Sequence, residues 1–138
     1  MLTIGDLARR TGVKIPTIRY YEQMGLVAAP ERSEGNQRRY SLTDRDRLAF
    51  IKHARDLGIS IEDIRELLEL SAHPETPCAR ADKIAAEQLL AVRERIAKLR
   101  KLEIELERIS SQCCGNSTIG ECYVIRSLAD HDLCDHEH

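Results

Sequence analysis

The chain has 138 residues, enough for one small domain and an extension, and its formal net charge is −2. With 42% hydrophobic and 32% charged residues, it has the composition of a soluble, helix-rich protein rather than a disordered one. No stretch approaches the roughly 18 uninterrupted apolar residues of a membrane span, and the N-terminus lacks an apolar signal region. We therefore expect no membrane association and a cytoplasmic location.

The charge is unevenly divided along the chain. Residues 1–55 hold eleven Lys and Arg against six Asp and Glu, and the remainder holds ten against seventeen. A basic front on an otherwise acidic chain suggests a polyanionic partner, although charged runs are often only solvated surfaces.

Two short helices are predicted at the start of the chain. Thr3 and Asp6 have the spacing of a capping box, and Gly12 ends the first helix. Pro16 suits the first turn of the second helix, which Gly25 ends. Two helices joined around a glycine indicate a helix-turn-helix.

A hairpin or wing is predicted next, because residues 28–40 (AAPERSEGNQRRY) are rich in turn-forming residues. Two more helices should follow. The pair Thr43 and Asp46 has the capping pattern for the first, and Ser60 with Asp63 has it for the second.

A long helix is predicted from Ala79 to Gln112, which contains no Gly or Pro. Its length is roughly 50 Å at 1.5 Å per residue. Apolar residues recur along it at spacings of 3, 4, 3, 3, 4 and 3, which is typical of a coiled-coil seam and requires a partner helix, most simply a second copy. The seam comprises Leu89, Val92, Ile96, Leu99, Leu102, Leu106 and Ile109.

The second helix and the wing carry the candidate DNA contacts. Arginine can bond guanine edges or phosphates, and hydroxyl groups mostly hold phosphates. The alternative is a surface helix and a solvated basic hairpin. The candidates are Lys14, Thr17, Arg19, Tyr20, Arg38, Arg39 and Tyr40.

Five cysteines in a cytoplasmic chain favour metal or redox chemistry over a disulfide framework. Cys113, Cys114 and Cys122 bracket a glycine-containing loop, whereas Cys78 precedes the long helix and lies roughly 50 Å away within one chain. Cys78 can therefore join the loop cysteines only from the partner of an antiparallel dimer. Which of Cys113 and Cys114 is the main ligand stays open.

The tail ADHDLCDHEH offers a possible secondary metal site, with a disordered acidic end as the alternative. Its candidate ligands are His131, Cys134, His136 and His138.

The run TIGDLARRTGVKIPTIRYYEQMGLV, followed by RSEGNQRRY and LGISIEDIRELLEL, resembles the N-terminal domain of the MerR family of transcription regulators. The resemblance extends to about Leu128. It implies a winged helix-turn-helix, an antiparallel coiled-coil dimer and a palindromic promoter whose spacer is too long for RNA polymerase. It also implies that the metal-loaded dimer distorts the DNA and activates transcription. Arg19 and Tyr20 match the family's recognition helix, and Arg38 and Tyr40 match its wing.

The resemblance also bears on the metal. Divalent sensors of the family carry a cysteine where Cys78 stands, and sensors of monovalent copper or silver typically carry serine. The Cys113–Cys114 pair resembles the zinc branch, but Thr118 replaces the histidine of that branch. We therefore expect a soft divalent ion, Cd, Pb or Zn before Hg, with a monovalent sensor as the alternative.

The expected fold is mainly α. The predicted divisions are a winged helix-turn-helix domain (1–75), a dimerisation helix (76–112), a metal-binding loop with a short helix (113–128) and a flexible tail (129–138). An enzyme is not expected, because no phosphate loop, nucleophile elbow or paired carboxylates are found. A metal-storage or trafficking protein remains an alternative that would not need the helix-turn-helix, and thiol oxidation is an alternative signal to metal.

Overall fold

The computed structural model describes residues 1–28, 31–32, 35, 38–112, 115 and 118–130. These residues are mainly helical, as expected, and divide into two compact units, Met1–Ile84 and the part from Ala85 onward. The elements in chain order are α1 (Ile4–Thr11), α2 (Ile15–Gln23), β1 (Glu31–Arg32), β2 (Arg38–Arg39), α3 (Leu42–Asp56), α4 (Ile61–Ser71), α5 (Ala79–Gln112), a short 3-10 helix (Ile119–Glu121) and α6 (Tyr123–Ala129).

Capping boxes begin two helices of the first unit. Thr3 and Asp6 form the predicted box before α1, with the Asp6 amide donating to the Thr3 hydroxyl at 3.1 Å. The box before α3 is Ser41 with Asp44, so the predicted Thr43 cap was wrong and the helix begins two residues earlier. A Ser or a Thr hydroxyl can accept a hydrogen bond from a backbone N–H of the first helical turn, and the sequence has Ser41 and Thr43 close together.

One hydrophobic core holds the first unit together. Apolar residues from α1 to α4 lie on inward faces at helical spacing, as the periodicity predicted. The residues with essentially no exposed surface include Leu7, Ile18, Leu48, Ile51 and Ile64.

The hairpin is attached to the start of the chain. Strands β1 and β2 pair antiparallel, with Glu31 opposite Arg39 and Arg32 opposite Arg38. Beyond β2, Leu2 and Tyr40 exchange two backbone hydrogen bonds of 2.7 and 2.8 Å. The chain segment before α1 therefore fixes the base of the hairpin next to the helix-turn-helix.

The second unit contains most of α5 and all of α6. Several seam residues of α5 are exposed in the single chain, with Leu89 at 49% and Leu106 at 64% of their full surface. Leaving such a stripe in water is unfavourable, so the exposed seam favours a partner helix. Among the described residues, no helix is both long and apolar enough to cross a membrane.

Candidate nucleic-acid interface and metal centre

Helix α2 presents a polar, partly basic face to solvent. Ile18 and Tyr21 are buried against the core, which turns Arg19 and Tyr20 outward, and Tyr20 is 53% exposed. Lys14 precedes the helix and is exposed. Because the buried residues of α2 occupy one face, Arg19 and Tyr20 lie on the opposite face, where they are accessible to a polyanion such as DNA.

Thr17 and Lys14 lie beside two basic residues that the sequence did not single out. Lys52 and Arg55 of α3 line the same surface depression. Both have partners within the chain: Lys52 Nζ lies 3.0 Å from an Asp56 carboxylate oxygen, and Arg55 donates to the Ile59 carbonyl at 2.8 Å. Lys52 and Arg55 therefore add positive charge beside Lys14, although each side chain is held by a partner within the chain.

Two arginines hold the C-terminal end of α2. Arg65 of α4 donates to the carbonyl oxygen of Met24 at 2.8 Å, and Arg47 of α3 donates to that of Leu26. Carbonyls at the end of a helix lack partners within it, so a cationic donor is favoured there. Arg47 belongs to the basic excess of residues 1–55, so part of that excess stabilises the fold.

The wing provides Arg38 and Arg39 as the paired residues of β2. Arg39 is half-buried. The described backbone places both beside Tyr40, at the base of the hairpin next to the helix-turn-helix.

Tyr40 departs from the sequence expectation of a DNA contact. Its side chain has no exposed surface, and its hydroxyl donates to a carboxylate oxygen of Glu22 on α2. Side chains alternate between the two faces of an extended strand, and Tyr40 falls on the inward face. Tyr40 therefore joins the wing to α2 from inside the core.

Cys78 and Cys122 are the described cysteines, and neither is in a disulfide. Cys78 is exposed one residue before α5, where its thiol donates to Asp82 at 3.7 Å. It borders an apolar cavity of about 280 Å³ that Leu67 and Leu70 of α4 also line. An accessible thiol fits the requirement for a soft metal ion.

Cys122 lies immediately before α6 and is half-buried. Its amide donates to the carbonyl of Ile119 at 3.2 Å, and its carbonyl accepts from the amide of Arg126 at 3.1 Å. The backbone of Cys122 is thus held on both sides, which fixes the point from which its thiol projects.

The other predicted ligands, Cys113, Cys114, His131, Cys134, His136 and His138, lie outside the described residues. Within the described part of a single chain, no three His, Cys, Asp or Glu side chains come close enough together to hold a metal ion.

Comparison with known families decides the protein's class. Residues 2–71 match the family described as MerR HTH family regulatory protein, and residues 45–109 match the one described as MerR, DNA binding. The chain belongs to the MerR family. Members of this family are DNA-binding transcription regulators and not enzymes, which agrees with the sequence prediction.

Individual relatives cover nearly the whole chain. It is 42% identical over 118 residues to the HTH-type transcriptional regulator ZntR of Escherichia coli K12, covering 85% of this chain and 84% of the relative. It is 38% identical over 127 residues to the mercuric resistance operon regulatory protein of Pseudomonas fluorescens, covering 92% and 87% respectively.

A solved structure also resembles the chain along its length. The transcription regulator PbrR691 from Ralstonia metallidurans CH34, in complex with lead(II), has a TM-score of 0.78 and 35% sequence identity. The match covers 93% of this chain and 99% of that one. The helix-turn-helix and long helix are therefore the architecture of a MerR-family regulator.

Proposed function

We propose that this MerR-family regulator binds a palindromic promoter as a homodimer and activates transcription when it binds a soft divalent metal ion. The observation that carries the proposal is the exposed Cys78 thiol, which stands at the start of an uninterrupted 34-residue helix. The domain divisions expected from the sequence are retained in this proposal.

The dimer is supported by the exposed seam of α5. Leu89, Ile96, Leu99 and Leu106 are each more than 40% exposed in the single chain. Burying apolar surface contributes about 25 cal/mol per Å², so a second α5 along this seam supplies a large driving force. An antiparallel arrangement is the one that brings Cys78 near the partner's loop.

The DNA contacts are assigned to the exposed face of α2 and to the wing. Arg19 and Tyr20 are exposed on α2, Lys14 and Thr17 belong to the start of the same helix, and Arg38 and Arg39 form β2 of the wing. In this assignment, Arg19 reads base edges or phosphate, and the remaining side chains hold the DNA backbone. Tyr40 is reassigned to the core.

The metal site is assigned to Cys78 together with the partner subunit's Cys122 and either its Cys113 or its Cys114. Helix α5 runs without interruption from Ala79 to Gln112, which corresponds to about 50 Å. A thiolate–metal bond of ~2.3 Å cannot span that length. Each site then crosses the dimer interface, twice per dimer by symmetry.

The effector is proposed to be Cd, Pb or Zn before Hg. A site of three thiolates suits soft ions. The resemblance to the zinc branch implies a histidine at the position of Thr118, so a zinc shell lacks that ligand here. One relative is named for mercuric resistance and the similar solved structure holds lead(II), which supports a heavy-metal effector. The tail residues remain a predicted secondary site.

Activation is proposed to work through the shape of the bound DNA, with RNA polymerase as the partner at a cytoplasmic promoter. Bending or untwisting a duplex costs several kcal/mol, and a metal-stabilised dimer conformation can offset that cost. Metal should then change transcription far more than it changes DNA affinity.

Transcription from the cognate promoter in vitro, measured with salts of Zn, Cd, Pb, Hg and Cu(I), tests the function, with DNA affinity measured in parallel. We expect a divalent ion to activate strongly with a small change in affinity. Release of the protein from DNA by metal would instead indicate a simple repressor, and activation by Cu(I) alone would indicate a monovalent sensor.

A further inference from the structure

A buried carboxylate lies near the C-terminal end of α5. Within the described residues of the second unit, Glu105 is 2% exposed, whereas most of α5 faces solvent. A buried carboxylate is unfavourable unless a charged or hydrogen-bonding partner compensates its lost hydration. Glu105 therefore depends on a partner that compensates its charge.

Arg108 compensates Glu105 and extends the contact to α6. One guanidinium nitrogen donates to a Glu105 carboxylate oxygen, and another donates to the hydroxyl oxygen of Tyr123. The guanidinium carbon also lies 5.8 Å from the centroid of the Tyr123 ring, within cation–π range. A planar guanidinium can make both bonds at fixed angles, which an ammonium cannot.

Tyr123 is the first residue of α6 and directly follows Cys122. One turn later, Ser127 is 1% exposed, and its hydroxyl has no hydrogen-bond partner among the described residues. The inward face of α6 is thus packed closely at Ser127 and bonded at Tyr123. The Arg108–Tyr123 bond joins α5 to the residue next to Cys122.

We propose that Arg108 is a positioning residue for the Cys122 thiolate. The buried Glu105 carboxylate holds the Arg108 guanidinium in place, and Arg108 in turn holds the Tyr123 side chain. Because Tyr123 directly follows Cys122, these contacts restrict the position of the Cys122 backbone. The inference rests on the proposed role of Cys122 as a metal ligand. Groups that orient a metal ligand typically contribute about 10- to 100-fold to metal affinity without touching the metal.

The test measures Cd(II) affinity of the full-length dimer by chelator competition, for Arg108→Gln, Tyr123→Phe and the double variant. We expect each single variant to bind Cd(II) about 10- to 100-fold more weakly. The double variant should be little weaker than Arg108→Gln alone, because both changes break the same contact. Arg126→Gln, an exposed arginine of α6, is the matched control and should bind as the unmodified protein does.

Amide hydrogen exchange of the metal-free protein gives a second readout. The Arg126 and Asp130 amides, which bond within α6, should exchange faster in Arg108→Gln, while α1 to α3 and metal-free DNA affinity stay unchanged. Unaltered Cd(II) affinity in both single variants would overturn the inference. The Cys122→Ser variant distinguishes failure of the proposed metal site from failure of the positioning role. If Cys122→Ser also binds Cd(II) normally, Cys122 is not a metal ligand. If Cys122→Ser binds Cd(II) weakly while Arg108→Gln and Tyr123→Phe bind it normally, only the positioning role is wrong.

Discussion

Arg80 Nε lies 2.5 Å from a carboxylate oxygen of Glu66, so the first turn of α5 is joined to α4 two residues after Cys78. The neighbouring residue on α4, Arg65, donates to the carbonyl oxygen of Met24 at the end of α2. The segment that carries the proposed metal ligand and the helix that carries the proposed DNA contacts are therefore bonded to adjacent residues of α4.

This arrangement predicts that Glu66→Gln weakens the response to metal. Both side chains of the pair are about 40% exposed, so the pair contributes no more than about 1 kcal/mol to stability. We therefore expect metal-free DNA affinity and Cd(II) affinity to be preserved while metal-dependent transcription falls several-fold. Asp46→Asn, which breaks the exposed pair with Arg45, is the control. Full activation by Glu66→Gln would show that this pair does not couple the two sites.

The sequence predicted the features that depend on local spacing. The capping box at Thr3, the glycine end of α1 and the uninterrupted length of α5 all follow from short-range rules. It did not predict that Tyr40 is buried or that Arg47 and Arg65 cap α2, because these depend on which distant elements pack together. A basic or phenolic side chain looks the same in sequence whether it meets DNA or a buried carbonyl.

The same limit applies to the second unit. The seam of α5 was visible as a repeat, whereas the Arg108–Tyr123 contact joins residues 15 positions apart in the sequence. In the sequence, Glu105 and Arg108 form an ordinary helical charge pair. The burial of Glu105 is visible only in the folded structure.

Arg19→Ala should weaken operator binding by about 1–3 kcal/mol if Arg19 bonds a base edge, and by less if it touches only phosphate. Arg39→Ala should weaken binding to all DNA sequences and reduce its salt dependence, as expected for a phosphate contact. Affinity measured by fluorescence anisotropy at several salt concentrations separates the two. Lys101→Ala, an exposed cation of α5, is the control. Unchanged DNA affinity in both variants would show that Arg19 of α2 and Arg39 of the wing do not contact DNA.

Tyr40→Phe should lower the stability of the fold, whereas Tyr20→Phe should weaken DNA binding. The Tyr40 hydroxyl bonds a carboxylate inside the fold, and losing a hydrogen bond to a charged group costs about 1.5–3 kcal/mol. We expect Tyr40→Phe to lower the free energy of unfolding in urea by about that amount, with DNA affinity of the folded protein preserved. Tyr20→Phe should leave stability unchanged and weaken DNA binding. If folded Tyr40→Phe bound DNA more weakly without any loss of stability, Tyr40 would instead be a DNA contact.

The start of α1 should be sensitive to acid. The hydrogen bond from the Thr3 backbone amide, and then that with the Thr3 hydroxyl, hold the pKa of the Asp6 carboxyl below its ordinary value of 3.8. Because the folded-state pKa is lowered, this stabilisation is present above the ordinary value and is lost as pH falls below it. Asp6→Asn should therefore lower Tm at pH 7, and the difference should shrink below about pH 4. A constant difference across this range would contradict a charged cap.

A mixed dimer decides whether the metal site is shared between chains. One chain carries Cys78→Ser and the other carries Cys122→Ser. If each site takes Cys78 from one chain and Cys122 from the other, one site loses both thiolates and the second keeps all of them. We expect a Cd(II) titration of the purified heterodimer to find one site of nearly unaltered affinity.

The two mutant homodimers are the controls, since each lacks one thiolate at both sites and should bind Cd(II) weakly throughout. If all ligands came from a single chain, every site in the mixed dimer would also lack one thiolate. The heterodimer would then show no tight site and would titrate like the homodimers. That outcome would reject the shared site and the antiparallel pairing of α5 that it requires, because a helix of about 50 Å separates Cys78 from the residues after Gln112.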